Sequence, residues 1–286
     1  MTFLQTNTQQ NFENIRSLCL GNFDGIHLAH KELFKRLDKR GAILVIGAEN
    51  GLLTPLHFRD RYTDCPIYGF FLRDIKSLQA KEFYALLRKI FPSLEKIIVG
   101  YDFKMGKNRE YSTQSMQREF ASVQVEVVQE CMLQGKSIHS RTIIQALEQG
   151  KIAHANELLG REYSIEGDVV QGQGIGKKLL YPTLNITNHH HFALPKEGVY
   201  ATQTKIDDEI YLSATFIGVR ETTDVQFAIE THIIDHQPIS ATSVEIFFLN
   251  HIRDNQSFAS TELLKEQIKQ DIEQIKHFKR NNQNRA

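Results

Sequence analysis

Ser17-Leu18-Cys19-Leu20-Gly21-Asn22-Phe23-Asp24-Gly25-Ile26-His27-Leu28-Ala29-His30 decides how the first half of the chain reads. A short apolar run, suited to a buried strand, stops at Gly21; an Asn-Phe-Asp turn closes at Gly25, and two histidines follow at helical spacing. Glycines permit a tight strand-to-helix turn. The helix it opens offers unpaired N–H groups and a positive dipole end, which favour phosphate. His27 and His30, three apart, share one face of the first helical turn. Two imidazoles there can donate to a triphosphate and to the transition state of a displacement at phosphorus. Two solvated histidines, or half of a metal site, are the plainer readings of the same spacing.

Outward from this turn, short apolar runs alternate with helical periodicity as far as Gly160. Ser17 to Leu20, Ala42 to Ile46, Ile67 to Leu72, Lys96 to Val99 and Val123 to Val128 read as buried strands. Glu32 to Leu37, Lys81 to Phe91, Ser112 to Phe120, Thr142 to Glu148 and Ile152 to Leu159 read as helices. The alternation predicts a parallel α/β sheet, which binds ligands at the carboxyl ends of its strands where strand order reverses. After Gly160 the strands Tyr163 to Val170, Val199 to Lys205, Ile210 to Ile217, Phe227 to Ile234 and Ser243 to Leu249 follow with few helices between them, the pattern of an antiparallel β-barrel. Asp207-Asp208 marks a hairpin tip. Ser260 caps a last helix whose Leu264, Ile268, Ile272 and Ile275 form one apolar stripe, and the polar tail from Lys279 is expected to fray.

A chain of 286 residues suits two domains, and the change in character near residue 160 divides it into 1–158 and 159–280. Lys plus Arg (34) equals Asp plus Glu (34), so no positive field gathers polyphosphate backbones, and nucleic acid is not the expected partner. No stretch approaches the roughly 18 apolar residues of a spanning helix, and the first residues lack a signal-peptide pattern; a cytoplasmic location is expected. Cys19, Cys65 and Cys131 form no CxxC pair and read as buried thiols, neither a disulfide framework nor a zinc site.

In the second half, Gly172-Gln173-Gly174-Ile175-Gly176-Lys177-Lys178 suits a loop whose amides and cations cradle phosphate, or simply a flexible hairpin. It matches neither GxxxxGK[ST] nor GxGxxG, because no Ser or Thr follows Gly176-Lys177 and the third glycine comes one residue early. In Tyr181-Pro182-Thr183-Leu184-Asn185, Thr183 and Asn185 share a side if extended, offering oxygens to magnesium beside ATP phosphates. Glu230 and His232 alternate with Ile229, Thr231 and Ile233, so the carboxylate is either a catalytic base aimed into the barrel or an ordinary rim residue. His189-His190-His191 lacks the spacing of a closed metal site and reads as a solvated loop.

Residues 21–30 resemble the GxFDGxHxGH motif of nucleotidylyltransferases, specifically the adenylyltransferase half of bacterial bifunctional riboflavin kinase/FMN adenylyltransferases, with Ala29 standing where that family has Gly. Gly100 to Lys107 resembles a second landmark, an aspartate-phenylalanine segment that by analogy faces nucleotide and flavin. A third, ISSTRIR, corresponds to Ile138-His139-Ser140-Arg141-Thr142-Ile143-Ile144, in which Thr and Arg are exchanged and the second arginine is Ile144; the family's proline-bearing segment has no counterpart in residues 47–51. From residue 160 to 278 the resemblance to riboflavin kinase is carried by Gly160-Arg161-Glu162-Tyr163, the GxGxGK loop, Pro182 to Asn185, Leu194 to Ala201, Glu230 to Asp235 and Ile252 to Phe258; the family's Tyr-Gly pair is replaced around Gln237 to Ser240.

The resemblance implies a Rossmann-like nucleotidylyltransferase domain followed by a riboflavin kinase barrel with a C-terminal helix. It implies phosphorylation of riboflavin to FMN and adenylylation of FMN to FAD, with ATP as co-substrate and Mg2+ as cofactor. Glu230 would be the kinase base, Thr183 and Asn185 the magnesium and ATP ligands, and Gly172, Gly174, Gly176, Lys177, Lys178 and Pro182 the ATP-binding segment. In the other half His27 and His30 would be catalytic, and Gly21, Asn22, Phe23, Asp24, Gly25, Asp102, Ser140 and Arg141 would bind nucleotide. The expected partners are these small molecules, with no nucleic acid or membrane, and the chain is a monomer or weak homo-oligomer. A kinase with a degenerate adenylyltransferase half, and a non-catalytic flavin or nucleotide sensor, are the alternatives.

Overall fold

The computed structural model describes the chain except residues 6–10, 48–51, 106–110, 120–121, 171–180, 221–224, 237–238 and 284–286. It divides into two compact units, Met1–Ser140 and Arg141–Ala286. The first contains strands β1 (Thr2–Phe3), β2 (Ser17–Gly21), β3 (Gly41–Gly47), β4 (Ile67–Phe71), β5 (Lys96–Gly100), β6 (Lys104–Met105), β7 (Tyr111–Ser112), β8 (Gln124–Val128), β9 (Met132–Leu133) and β10 (Lys136–Ser137). Its helices are α1 (Leu28–Phe34), α2 (Leu72–Ile75), α3 (Ala80–Ile90) and α4 (Thr113–Glu119), with a 3-10 turn at Leu56–Tyr62.

Six of these strands pair in parallel in the order β1-β4-β3-β2-β5-β8, the layered sheet that the alternation of apolar runs and helices predicts. Every residue of β3 is buried, as an uninterrupted apolar run requires of a strand covered on both faces. The chain builds outward from β2 through β3 to β4, then returns to the other side of β2 with β5 and β8. Strand order therefore reverses between β2 and β5, and the crevice at their carboxyl ends is where such sheets take ligands.

The second unit begins with helices α5 (Ser140–Glu148, whose first residue closes the preceding unit) and α6 (Ile152–Leu159). Gly160 ends α6 in the left-handed conformation, at φ 67°, which glycine adopts without steric cost. Asn156 then joins this helix to the barrel: its amide donates to the Phe248 carbonyl at 2.9 Å and its oxygen accepts from the Tyr163 N–H at 2.7 Å.

Strands β11 (Tyr163–Val170), β12 (Leu184–Ile186), β13 (Gly198–Ile206), β14 (Glu209–Val219), β15 (Phe227–Ile233) and β16 (Ser243–Asp254) close into an antiparallel barrel in the order β11-β12-β15-β14-β13-β16. β12, three residues long, was not expected as a separate strand, and β16 runs five residues beyond Leu249. Asp207-Asp208 forms the two-residue turn between β13 and β14, with Asp207 at φ 54°. The C-terminal helix α7 (Thr261–Gln283) continues through part of the tail that composition alone marks as frayed. Its Ile272 and Ile275 pack with Ala201 and Ile234 on the outer face of the barrel. Arg253 on β16 fixes the helix by donating from Nε to both oxygens of Asp271 at 3.0 Å.

The barrel interior combines aromatic and aliphatic side chains with a set of hydroxyls. Thr202, Thr204, Ser213, Thr215 and Thr231 are fully buried and bond to one another at 2.7 to 3.2 Å. A hydroxyl can both donate and accept, so neighbouring strands pair polar groups that would otherwise be costly to bury. All three cysteines are free; Cys19 is buried as expected, whereas Cys65 and Cys131 are only half-buried.

Candidate functional sites

A cleft of about 520 Å³ opens at the reversal point of the sheet, lined by the turn after β2, the segment after β5 and residues 137–140. Gly21, Asn22, Phe23, Asp24, His27 and His30 line it together with Asp102 and Ser140. Most of the dispersed residues expected to bind nucleotide thus meet in one concavity. His27 caps α1, its Nδ1 accepting from the His30 N–H at 3.4 Å, and the two imidazoles stack with centroids 3.5 Å apart. Acceptance at Nδ1 puts the proton of a neutral His27 on Nε2, making that nitrogen the donor.

The turn holding the pair is strained. Phe23, Gly25 and Ile26 all have positive φ (54°, 84° and 39°), although Phe23 and Ile26 are not glycine. A Cβ at Gly21 would lie 3.0 Å from the Phe23 ring, so a larger residue there would press on the ring. Asp24, at the centre of the turn, points inward: its carboxylate accepts from the N–H groups of Leu53 and Thr54 at 3.1 and 3.0 Å and lies 3.6 Å from Arg59 Nη2. Burial pushes its carboxyl above the usual range, while Arg59 and the amides pull the other way. Ser140 donates to the Asp24 carbonyl at 2.8 Å. Arg141 is exposed and groups with the second unit.

Sequence reading missed two groups here. Arg59, fully buried, donates to the backbone carbonyls of Thr54 and Asn22. On the cleft wall Tyr101 donates to Glu130 at 2.9 Å and meets His139 Nε2 at 3.2 Å, while Ser137 Oγ lies 2.8 Å from the same nitrogen. Tyr101 is adjacent to the quoted Asp102 and His139 to Ser140, so position in the motifs was the available signal.

In the barrel, Asn185 on β12 is the register partner of Glu230 on β15, and Leu184 that of Thr231. Continuing that antiparallel register places Thr183 opposite His232, whose Nδ1 donates to the Pro182 carbonyl at 2.8 Å. Glu230 accepts from Arg220 Nη1 at 2.9 Å and retains about one fifth of its side-chain exposure. The sequence left the direction of Glu230 open, and the strand turns it away from the barrel interior. Thr231, Ile229 and Ile233 occupy the buried side of β15, and alternation turns Glu230 and His232 outward.

Thr183, Asn185 and Glu230 offer only oxygen donors, including a single carboxylate. That set fits magnesium, which keeps several waters and is shared with phosphate oxygens. No closed His, Cys, Asp or Glu cluster able to hold a metal ion occurs among the described residues, His189 to His191 included. Gly172, Gly174, Gly176, Lys177 and Lys178, like Gly106 and Lys107, lie outside the described residues.

Residues 159–279 match the family model Flavokinase, described as riboflavin kinase. The whole chain is similar to the bifunctional riboflavin kinase/FMN adenylyltransferase of Buchnera aphidicola from Acyrthosiphon pisum, at 31% identity covering 88% of this chain and 90% of the relative. The chain belongs to the bifunctional riboflavin kinase/FMN adenylyltransferase family. The Haemophilus influenzae member is 28% identical over 92% of this chain and 94% of its own. A solved structure titled as a macrolide-efflux protein from Streptococcus pneumoniae superposes with a TM-score of 0.82 at 24% identity, covering 96% of this chain and 98% of that one, a likeness of fold. Family membership places the alternating β-strand and helix half and the barrel in one enzyme framework.

Proposed function

We propose that the chain makes FMN and FAD in two magnesium-dependent substitutions at phosphorus, with a kinase domain at 159–280 and an adenylyltransferase domain at 1–158. The observation that carries the kinase reading is the pairing of Asn185 with Glu230 across adjacent strands. Glu230 takes the proton of the terminal ribityl hydroxyl as its oxygen attacks the γ-phosphorus of ATP and ADP leaves. Arg220 orients the carboxylate, and His232 holds the Pro182–Asn185 segment against β15. Magnesium bound by Thr183, Asn185 and ATP would neutralise charge on the transferring phosphoryl group. Gly172 to Lys178, with Pro182, supply the remainder of the ATP-binding segment.

Adenylyl transfer needs no base, because the attacking FMN phosphate is already anionic. Its oxygen bonds to the α-phosphorus of a second ATP and pyrophosphate leaves. The protein must supply donors to the developing charge, which suits His27 Nε2, His30 and the Asn22 amide. Gly21, Phe23, Asp24 and Gly25 shape the turn, and Asp102, Ser140 and Arg141 complete the nucleotide contacts. The partners are small molecules and the setting cytoplasmic, with no nucleic acid and a monomer or weak homo-oligomer.

Riboflavin, FMN and FAD followed together in one reaction test both halves. A second reading, a kinase that binds but does not adenylylate, is favoured by the exposure of Arg141 and by Ile144 in place of the family's second arginine. FAD formed from FMN, ATP and magnesium by the pure protein removes it.

A further inference from the structure

Arg59 belongs to none of the motifs above and does not line the cleft, yet it is the bulkiest fully buried side chain among the described residues. Its guanidinium is spread over two loops. Nε donates to the Thr54 carbonyl at 3.0 Å, Nη1 donates to the Asn22 carbonyl and lies 3.5 Å from Asn22 Oδ1, and Nη2 is 3.6 Å from Asp24. We propose that Arg59 is the positioning residue of the adenylyl-transfer site: it fixes Asn22 and the turn at 23–26 in the geometry that receives phosphate, without touching nucleotide. This rests on the adenylyl-transfer reading above.

Three features carry it. Turning Asn22 Oδ1 toward Arg59 directs the amide NH₂ the other way, and Asn22 is exposed on the cleft lining. Left-handed backbone at Phe23, Gly25 and Ile26 persists only where its surroundings over-determine it. Asp24 lies inside that turn and is tied to Arg59 and to two amides of the second loop, which supply the constraint. The geometry also demands arginine: a lysine has a point charge and no planar fork, so it could pair with Asp24 but not hold Asn22 and Thr54 as well.

The test is steady-state FAD formation by the full-length protein carrying Arg59→Met, Arg59→Lys, Asn22→Ala or the pair Arg59→Lys/Asn22→Ala, with riboflavin phosphorylation by the same chains as a folding control. Arg59→Lys is expected to keep kinase activity within about twofold while raising the KM for ATP in FAD formation about tenfold, with a larger rise in Arg59→Met. Because Arg59 acts partly through the Asn22 side chain and partly through the turn, the double variant should lose less than the product of the two single losses. A residue that only stabilised the fold would lower the active fraction and leave KM unchanged. A KM in Arg59→Lys within twofold of wild type, or additive losses in the double variant, overturns the assignment even if Arg59→Met fails to fold. A wild type that makes FMN but no FAD, and binds one ATP per chain by calorimetry, overturns the adenylyl-transfer reading and this assignment with it.

Discussion

Glu230 is oriented by Arg220 and faced by Asn185, so its carboxylate is the group whose loss should be felt first in the barrel. Glu230→Gln retains size and hydrogen bonding but cannot accept the ribityl proton. Riboflavin consumption is expected to fall by about 10²- to 10⁴-fold, with FAD formation from added FMN unchanged. His27→Ala removes an Nε2 donor from the other half, and FAD formation is expected to fall by about 10²- to 10³-fold while FMN production continues. Spacing alone left His27, His30 and Glu230 open between a chemical and a plainer reading, and it was the resemblance of the surrounding motifs that singled them out. Arg59 was not legible, since its partner Asn22 is 37 positions away and nothing in Leu56 to Tyr62 distinguishes it from a surface arginine. The inward or outward direction of Glu230 was equally hidden, because alternation assigns residues to opposite faces without saying which face is filled.

At the level of single elements, β16 carries two interactions with measurable consequences. Asp271→Ala would leave Arg253, four-fifths buried, without its carboxylate on α7. Removing one partner of a buried pair costs about 3 kcal/mol or more, so the denaturant midpoint of the barrel should fall accordingly. His251 is held below its ordinary pKa by burial, with Asp254 opposing that shift. Its depressed folded-state value means that, as pH drops below about 6.5, the unfolded chain takes up the proton first and stability is lost. Thermal unfolding between pH 7.5 and 5.5 should show that loss, and His251→Gln should reduce its slope. Long elements were legible from apolar period, whereas three-residue β12 offers too little period to read. Helix α7 extends beyond its apolar stripe because Phe278 still packs on the barrel and propagation adds a hydrogen bond for each residue fixed.

For the molecule as a whole, the two constellations belong to different compact units, one at the switch point of a parallel sheet and one on the wall of a closed barrel. Neither Glu230→Gln nor His27→Ala protein alone should convert riboflavin to FAD. Their mixture, each supplying the other's missing reaction through FMN in solution, should restore conversion, as chromatography of the three flavins would show. The class of each unit was legible because strand and helix alternation gives way to hairpin signals near residue 160. The compact units divide at 140/141 and not where the pattern changes: α5 and α6 group with the barrel, to which Asn156 and the Leu147 carbonyl bond, contacts invisible to local periodicity.

The packed interior beneath β15 has a consequence for lineage history. Inserting or deleting one residue within this strand would send Glu230 among the threonines and push Thr231 to the outside, reversing the parity of every position beyond the change. Related genes should therefore gain and lose single codons in the connecting turns, while the stretch encoding Phe227 to Ile233 keeps its length.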